Sequence, residues 1–143
     1  MTTRQITAAA KRDRRDARRA LAALEPLQRG THQVTIGRTP VRTSNLDKVL
    51  YPGCGSTKLD VLRTYMRLAP ALLAHARDRP LTMKRYPDGV DEASFFQKHA
   101  PQGRPEWVHV TEPIGEHGVR YPVLDDVRTL LWAANLGAIE LHV

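Results

Sequence analysis

The chain has 143 residues, 41% of them hydrophobic and 26% charged, which supplies enough apolar material for one buried core and too much for a disordered chain. No stretch reaches the ~20 apolar residues of a membrane span, and the basic N-terminus leads into no apolar run of a secretion signal, so a cytoplasmic setting is expected. The single cysteine, Cys54, excludes an intramolecular disulfide framework and a cysteine-based zinc site, while the net charge of +7 favours a polyanion as partner.

That charge is concentrated at the start. Residues 1–30 hold eight basic side chains (Arg4, Lys11, Arg12, Arg14, Arg15, Arg18, Arg19, Arg29) and three acidic ones (Asp13, Asp16, Glu25), five of the seven net charges. From Ile6 to Leu24, Ala and Leu recur at helical spacing, with Ala17, Leu21 and Leu24 on one face, until Pro26 and Gly30 end the pattern. Residues 1–30 therefore read as a basic amphipathic helix and linker ahead of a folded body over residues 31–143. A solvated helix and a helix held to DNA by counterion release both fit this segment.

Residues 33–43 alternate β-branched and polar side chains around Gly37, the pattern of a hairpin. Ser44 and Asn45 are N-cap residues for a short helix through Leu50, which Pro52, Gly53 and Gly55 break. A longer helix follows: Thr57 with Asp60 three residues on resembles a capping box, and Leu62, Met66, Ala69, Leu73 and Ala76 give it one apolar face. Strands are expected at 80–85, 94–98, 107–111 and 119–124, separated by turn clusters at Pro87-Asp88-Gly89 and Gly115-Glu116-His117-Gly118. Asp125 or Asp126 caps a last helix through Ala134, Gly137 ends it, and Ile139 to Val143 reads as a strand. The class is α+β, a mixed or antiparallel sheet with packed helices. The final strand is expected to lack a partner, and the chain to be cut short there.

The run Gly53-Cys54-Gly55-Ser56-Thr57-Lys58 opens onto a helix but is not a Walker motif, whose Gly-Lys precedes the Ser or Thr. What remains is a helix N-terminus with free amides and Lys58 beside it, suited to a phosphate monoester, or an ordinary loop with a solvated lysine. Lys84 and Arg85 close a strand and are expected to point to opposite faces. His32, His75, His99, His109 and His117 show no metal-ligand spacing.

Five blocks then resemble, in order, the polymerase domain of the bacterial ligase D family, a primase-like polymerase of non-homologous end joining. They are Thr43-Ser44-Asn45-Leu46-Asp47-Lys48-Val49-Leu50-Tyr51-Pro52 with Thr57-Lys58, the run from Pro80 to Gly89, Phe95-Phe96-Gln97-Lys98-His99, Pro105-Glu106-Trp107-Val108, and the run from Leu130 to His142. The resemblance spans about residues 34–143 and leaves the basic helix outside. It implies the N-terminal part of a primase-like polymerase fold, with Asn45, Lys48 and Lys58 binding the 5′-phosphate at a DNA end or gap. It also implies that Phe96, with Phe95 beside it, stacks on the template strand. His142 matches a histidine that helps bind the incoming nucleotide, and Lys84 and Arg85 are candidate contacts to nucleotide or DNA. For the complete family domain the resemblance implies nucleotidyl transfer with Mn or Mg, a preference for ribonucleotides, and Ku and an ATP-dependent DNA ligase as partners in the bacterial nucleoid.

The family's metals are held by an Asp-x-Asp pair on a strand, because side chains two apart share a face. None of the 15 acidic residues here has another two positions away, and Asp125-Asp126 reads as a helix cap. No residue is therefore assigned a catalytic or metal-binding role. Two functions stay open: part of a repair polymerase that is inactive alone, or a stand-alone, non-catalytic DNA-end binder.

Overall fold

A computed structural model describes all residues from Met1 to Val143. The first element, α1 (Thr3–Leu24), opens with a capping box in which the Thr2 hydroxyl accepts from the Gln5 amide and Gln5 Oε1 accepts from the Thr2 amide. Its inner face, Asp13, Asp16, Ala17, Ala20 and Leu24, is buried against α2 (Lys58–Ala76). The small side chains at 17 and 20 let the two helices approach closely. Two arginines of the second helix segment hold the first in place. Arg63 donates to the carbonyls of Leu24, Glu25 and Leu27 at 2.8–3.2 Å, taking up carbonyls that a helix end leaves without intrahelical donors. Arg77 pairs with the buried Asp13. The basic helix thus belongs to the same hydrophobic core as the body that follows it.

β1 (His32–Ile36) and β2 (Thr39–Thr43) form the expected antiparallel hairpin, with Ile36 opposite Thr39 across a turn where Gly37 takes φ +63°. Val34, Ile36, Val41 and Thr43 point inward and the alternate residues outward, the two-residue period of a half-buried ribbon.

The short helix expected over residues 44–50 does not form. Asn45 sits in the left-handed region at φ +53°, which stops a helix at its start, and Leu46 is fully buried. The Leu46 carbonyl accepts from Leu59 N–H at 3.0 Å and the Lys48 carbonyl from Lys58 N–H at 2.8 Å. The segment ends in β3 (Val49–Tyr51), antiparallel to β4 (Ser56–Thr57). α2 follows with the expected Thr57–Asp60 capping box, and its apolar stripe Leu62, Met66, Ala69 and Leu73 is buried in the core.

β5 (Thr82–Arg85), β6 (Phe95–Gln97) and β7 (Ala138–His142) make one antiparallel sheet in the order β6-β5-β7. The last strand therefore has the partner that its sequence did not disclose: Thr82 faces His142 and Lys84 faces Glu140. The Tyr65 hydroxyl ties it to α2 by donating to the carbonyls of Ala138 at 2.7 Å and Ile139 at 3.1 Å. The strands expected over 107–111 and 119–124 reduce to single bridges, Val110 to Pro122 and Ile114 to Val119, with a third between Val123 and Pro80. Prolines at 113 and 122 explain this, since each removes a donor that a continuous ladder would need.

α3 (Val127–Asn135) is capped by Asp126, whose carboxylate accepts from the Thr129 amide at 3.0 Å. It ends at Gly137, φ +79°, where a Cβ would lie 3.3 Å from the Tyr86 carbonyl oxygen. Gly137→Ala is expected to cost about 1–3 kcal/mol, read as a lower urea midpoint, because both the backbone angle and the close approach exclude a side chain.

Candidate nucleic-acid interface

Four cations from four different elements converge on one polar cavity of about 260 Å³. Arg42 comes from β2, Lys48 from the loop before β3, Lys58 from the first position of α2, and Arg85 from the end of β5. Asn45, Ser44 and Asn135 are the uncharged polar residues of the wall. Asn135 Oδ1 accepts from the Ser44 amide at 2.9 Å, so the end of α3 fixes the loop that carries Asn45 and Lys48. The only carboxylate paired with these four cations is Asp88, whose Oδ1 accepts from Lys48 at 2.7 Å.

Lys58 is the unusual member. It is 7% exposed and forms no ion pair. Burial pushes its pKa down to about 8, and the neighbouring charges of Lys48, Arg85 and Arg42 push in the same direction. Arg85 is held in place by donating to the Leu136 carbonyl at 2.8 Å and to Gln97 Oε1 at 2.9 Å, and burial lowers its pKa as well. A cluster of like charges, partly withdrawn from water, is destabilised until an anion enters it.

The free amides expected at the start of α2 are not there. Thr57 N–H donates to Asp60 Oδ2, Lys58 N–H to the Lys48 carbonyl, Leu59 N–H to the Leu46 carbonyl and Asp60 N–H to the Thr57 hydroxyl. Any anion in this cavity is therefore met by side chains rather than by helix amides. Nor does Lys48 project from a helix, as the sequence had indicated. Arg42 and Asn135 went unnoticed in the sequence, where nothing local distinguishes them from other surface residues.

The remaining predicted residues lie on the sheet, split by its pleat. Lys84 and Phe96 are directly paired, as are Arg85 and Phe95. Lys84 Nζ stands 5.3 Å from the Phe96 ring centre and the Arg85 guanidinium 5.0 Å from that of Phe95. Phe96, 59% exposed, also meets His142 edge-on at 5.8 Å. On that side Glu140 accepts from the Tyr86 hydroxyl at 3.1 Å and lies 3.1 Å from His142 Nε2. The imidazole, and after it the phenol, hold the Glu140 carboxyl below its ordinary range. Phe95 and Phe96 thus serve opposite faces: Phe96, Lys84 and His142, with Glu140 among them, form an exposed platform of aromatic and charged side chains, while Arg85 joins the cavity of Lys58.

No group of three or more His, Cys, Asp or Glu side chains is placed to hold a metal ion. Asp126 caps α3 and pairs with Arg128, and Asp125 lies 2.7 Å from His109.

A family model described as "LigD, primase-polymerase domain" matches residues 57–143. The multifunctional non-homologous end joining protein LigD of Mycobacterium bovis is 39% identical over 104 residues, 72% of this chain and 14% of that protein. The bifunctional non-homologous end joining protein LigD of Bacillus subtilis is 35% identical over 100 residues, 70% of this chain and 16% of its own length. Among solved structures, the polymerase domain of Mycobacterium tuberculosis ligase D in complex with DNA superposes with a TM-score of 0.68 at 39% identity, over 71% of this chain and 36% of that one. The chain therefore spans about a seventh of the curated relatives' length.

Proposed function

Because the chain belongs to the LigD primase-polymerase family, we propose that it recognises DNA ends and gaps through a 5′-phosphate, as part of a polymerase domain acting in non-homologous end joining. The observation that supports this most strongly is the cavity of Lys58. Four cations with a single paired carboxylate suit a dianion, and amide side chains at its rim suit the phosphate oxygens. Asn45, Lys48 and Lys58 are the proposed phosphate ligands, and the geometry adds Arg42 and Arg85 to them. Charge-assisted hydrogen bonds of this kind separate a phosphate from a hydroxyl far better than neutral ones do.

The platform of Phe96, Lys84 and His142 is the proposed seat of the template base and of nucleotide phosphates. An exposed aromatic ring stacks on any base, which suits arbitrary ends. The divalent metal of the family, Mn or Mg, would supply activation of a primer hydroxyl. The residues of this chain do not fit it, since no three carboxylates or histidines converge. The proposed phosphate site is built wholly within this chain, so end recognition does not depend on metal carboxylates. In the whole protein, nucleotide addition in the bacterial nucleoid, alongside Ku and an ATP-dependent ligase, completes the proposal.

A pH series tests it. Lys58 binds the phosphate only when protonated, and its pKa in the free protein is about 8. A bound dianion raises that value, so above pH 8 binding takes up a proton and weakens by up to about tenfold per pH unit. The phosphate itself stays dianionic, because its second pKa is near ~6. Fluorescence anisotropy on gapped duplex is expected to show this decline for a 5′-phosphate and a flat profile for a 5′-hydroxyl. A flat profile for both between pH 7 and 9.5 would remove Lys58 from the site.

A further inference from the structure

The exposed side of α1 faces away from the core and is strongly cationic. At 3.6 residues per turn, Arg4, Lys11, Arg14, Arg15, Arg18 and Arg19 fall opposite the buried face of Asp13, Ala17, Ala20 and Leu24. Both acidic residues of the helix, Asp13 and Asp16, are turned inward and buried. The outer face is left with six positive charges, of which only Arg15 meets a carboxylate, Asp16 Oδ1 at 3.2 Å. Like charges at 11 and 15, 14 and 18, and 15 and 19 stand one turn apart, a spacing that works against the helix. Such a row is relieved by a polyanion.

The helix is also aimed. Arg77, at the C-terminal end of α2, holds Asp13, whereas Arg63, in its second turn, holds the carbonyl of Leu24. The helices are therefore antiparallel, and the Arg18–Arg19 end of the row points toward the end of α2 where Lys58 lines the phosphate cavity. From Arg4 to Arg19 the row covers roughly 22 Å, about six base-pair steps of duplex.

We infer that α1 is a second DNA-binding element, a rigid cationic strip that holds the phosphate backbone of duplex DNA next to the end bound in the cavity. It lies outside the residues matched by the family model. An acidic membrane is the weaker partner. The apolar face that an interfacial helix would insert into lipid is packed against α2 from Ala17 to Leu24, which leaves Ile6 as the one large apolar side chain of the helix exposed. The strip's binding of duplex rests on DNA as the partner, and only its position beside the bound end rests on the 5′-phosphate cavity.

The test uses the full chain and a blunt duplex with 5′-hydroxyl ends, with Kd measured across a range of salt concentrations. Changing Arg14, Arg15, Arg18 and Arg19 together to Gln is expected to reduce the slope of log Kd against log salt by about 2–4, since each phosphate contact contributes ~0.9. The same four positions changed to Lys are expected to keep it. The preference for a 5′-phosphate is expected to persist in both variants, so loss of that preference in the unmodified chain would sink the cavity reading and leave this one standing. If the fourfold Gln variant fails to fold, Arg14→Gln and Arg18→Gln are each expected to lower the slope by about 1. An unchanged slope in folded variants overturns the inference. So does a loss of binding to phosphatidylserine vesicles with duplex binding intact.

Discussion

Lys58→Met is expected to raise the Kd for a 5′-phosphorylated gap by about 10–100-fold, while binding to the 5′-hydroxyl counterpart changes by no more than about threefold. A hydrogen bond from a charged group is worth ~1.5–3 kcal/mol, which corresponds to that range. The same substitution is expected to leave stability unchanged or improved. Lys58 is 7% exposed without an ion pair, surrounded by Lys48, Arg85 and Arg42, so its charge is a burden on the unliganded fold. Methionine keeps the packed stem and removes the charge. Urea denaturation alongside anisotropy checks both halves, and a site residue whose loss stabilises the protein is hard to explain as mere structure. Lys48→Ala should weaken phosphate binding similarly. Lys48 is partly exposed and paired with Asp88, so it carries no comparable strain.

Asp13→Ala is expected to cost about 3–5 kcal/mol and to lower the urea midpoint more than any surface change. Its carboxylate, 1% exposed, pairs with Arg77 and with Arg12 at 3.3 Å. Both guanidiniums also donate to the Asp125 carbonyl, at 2.7 and 3.2 Å. Removing the one anion leaves two cations facing each other in a half-buried site, the circumstance in which breaking an ion pair is most costly. The 5′-phosphate preference of whatever remains folded should survive. Arg77 follows the last residue of α2 and Lys58 is its first, about 28 Å apart along the axis.

The elements legible in the sequence were those fixed by neighbours in the chain. Helical spacing in α1 and α2, alternation in the hairpin, and the Thr57–Asp60 capping box are all local signals, and each appears in the structure. Residues 44–50 misled because Ser44 and Asn45 are good helix caps in isolation, whereas the buried Leu46 and the backbone pairing with the start of α2 decide the conformation. The partner of β7 lies more than fifty residues earlier, and no short-range pattern could reveal it. The proposed phosphate site divides in the same way. Lys58 was a candidate from its place at a helix start, Asn45 and Lys48 came from the family resemblance, and Arg85 was expected only as a general contact to nucleotide or DNA, whereas tertiary packing alone adds Arg42 and Asn135 and brings Arg85 into this cavity. The helix amides went the other way: an argument from the N-terminus alone assigned them to a ligand, and Lys48 and Leu46 carbonyls had already taken them.

On the proposed function, this chain distinguishes a phosphorylated DNA end from an unphosphorylated one by means of the Lys58 cavity. The direct measurement is the ratio of dissociation constants for two gapped duplexes, identical except for a 5′-phosphate or a 5′-hydroxyl at the downstream edge, at one fixed salt concentration and pH 7. Binding to the phosphorylated gap is expected to be at least tenfold tighter. Equal affinity for the two would rule out the Lys58 cavity as the phosphate site.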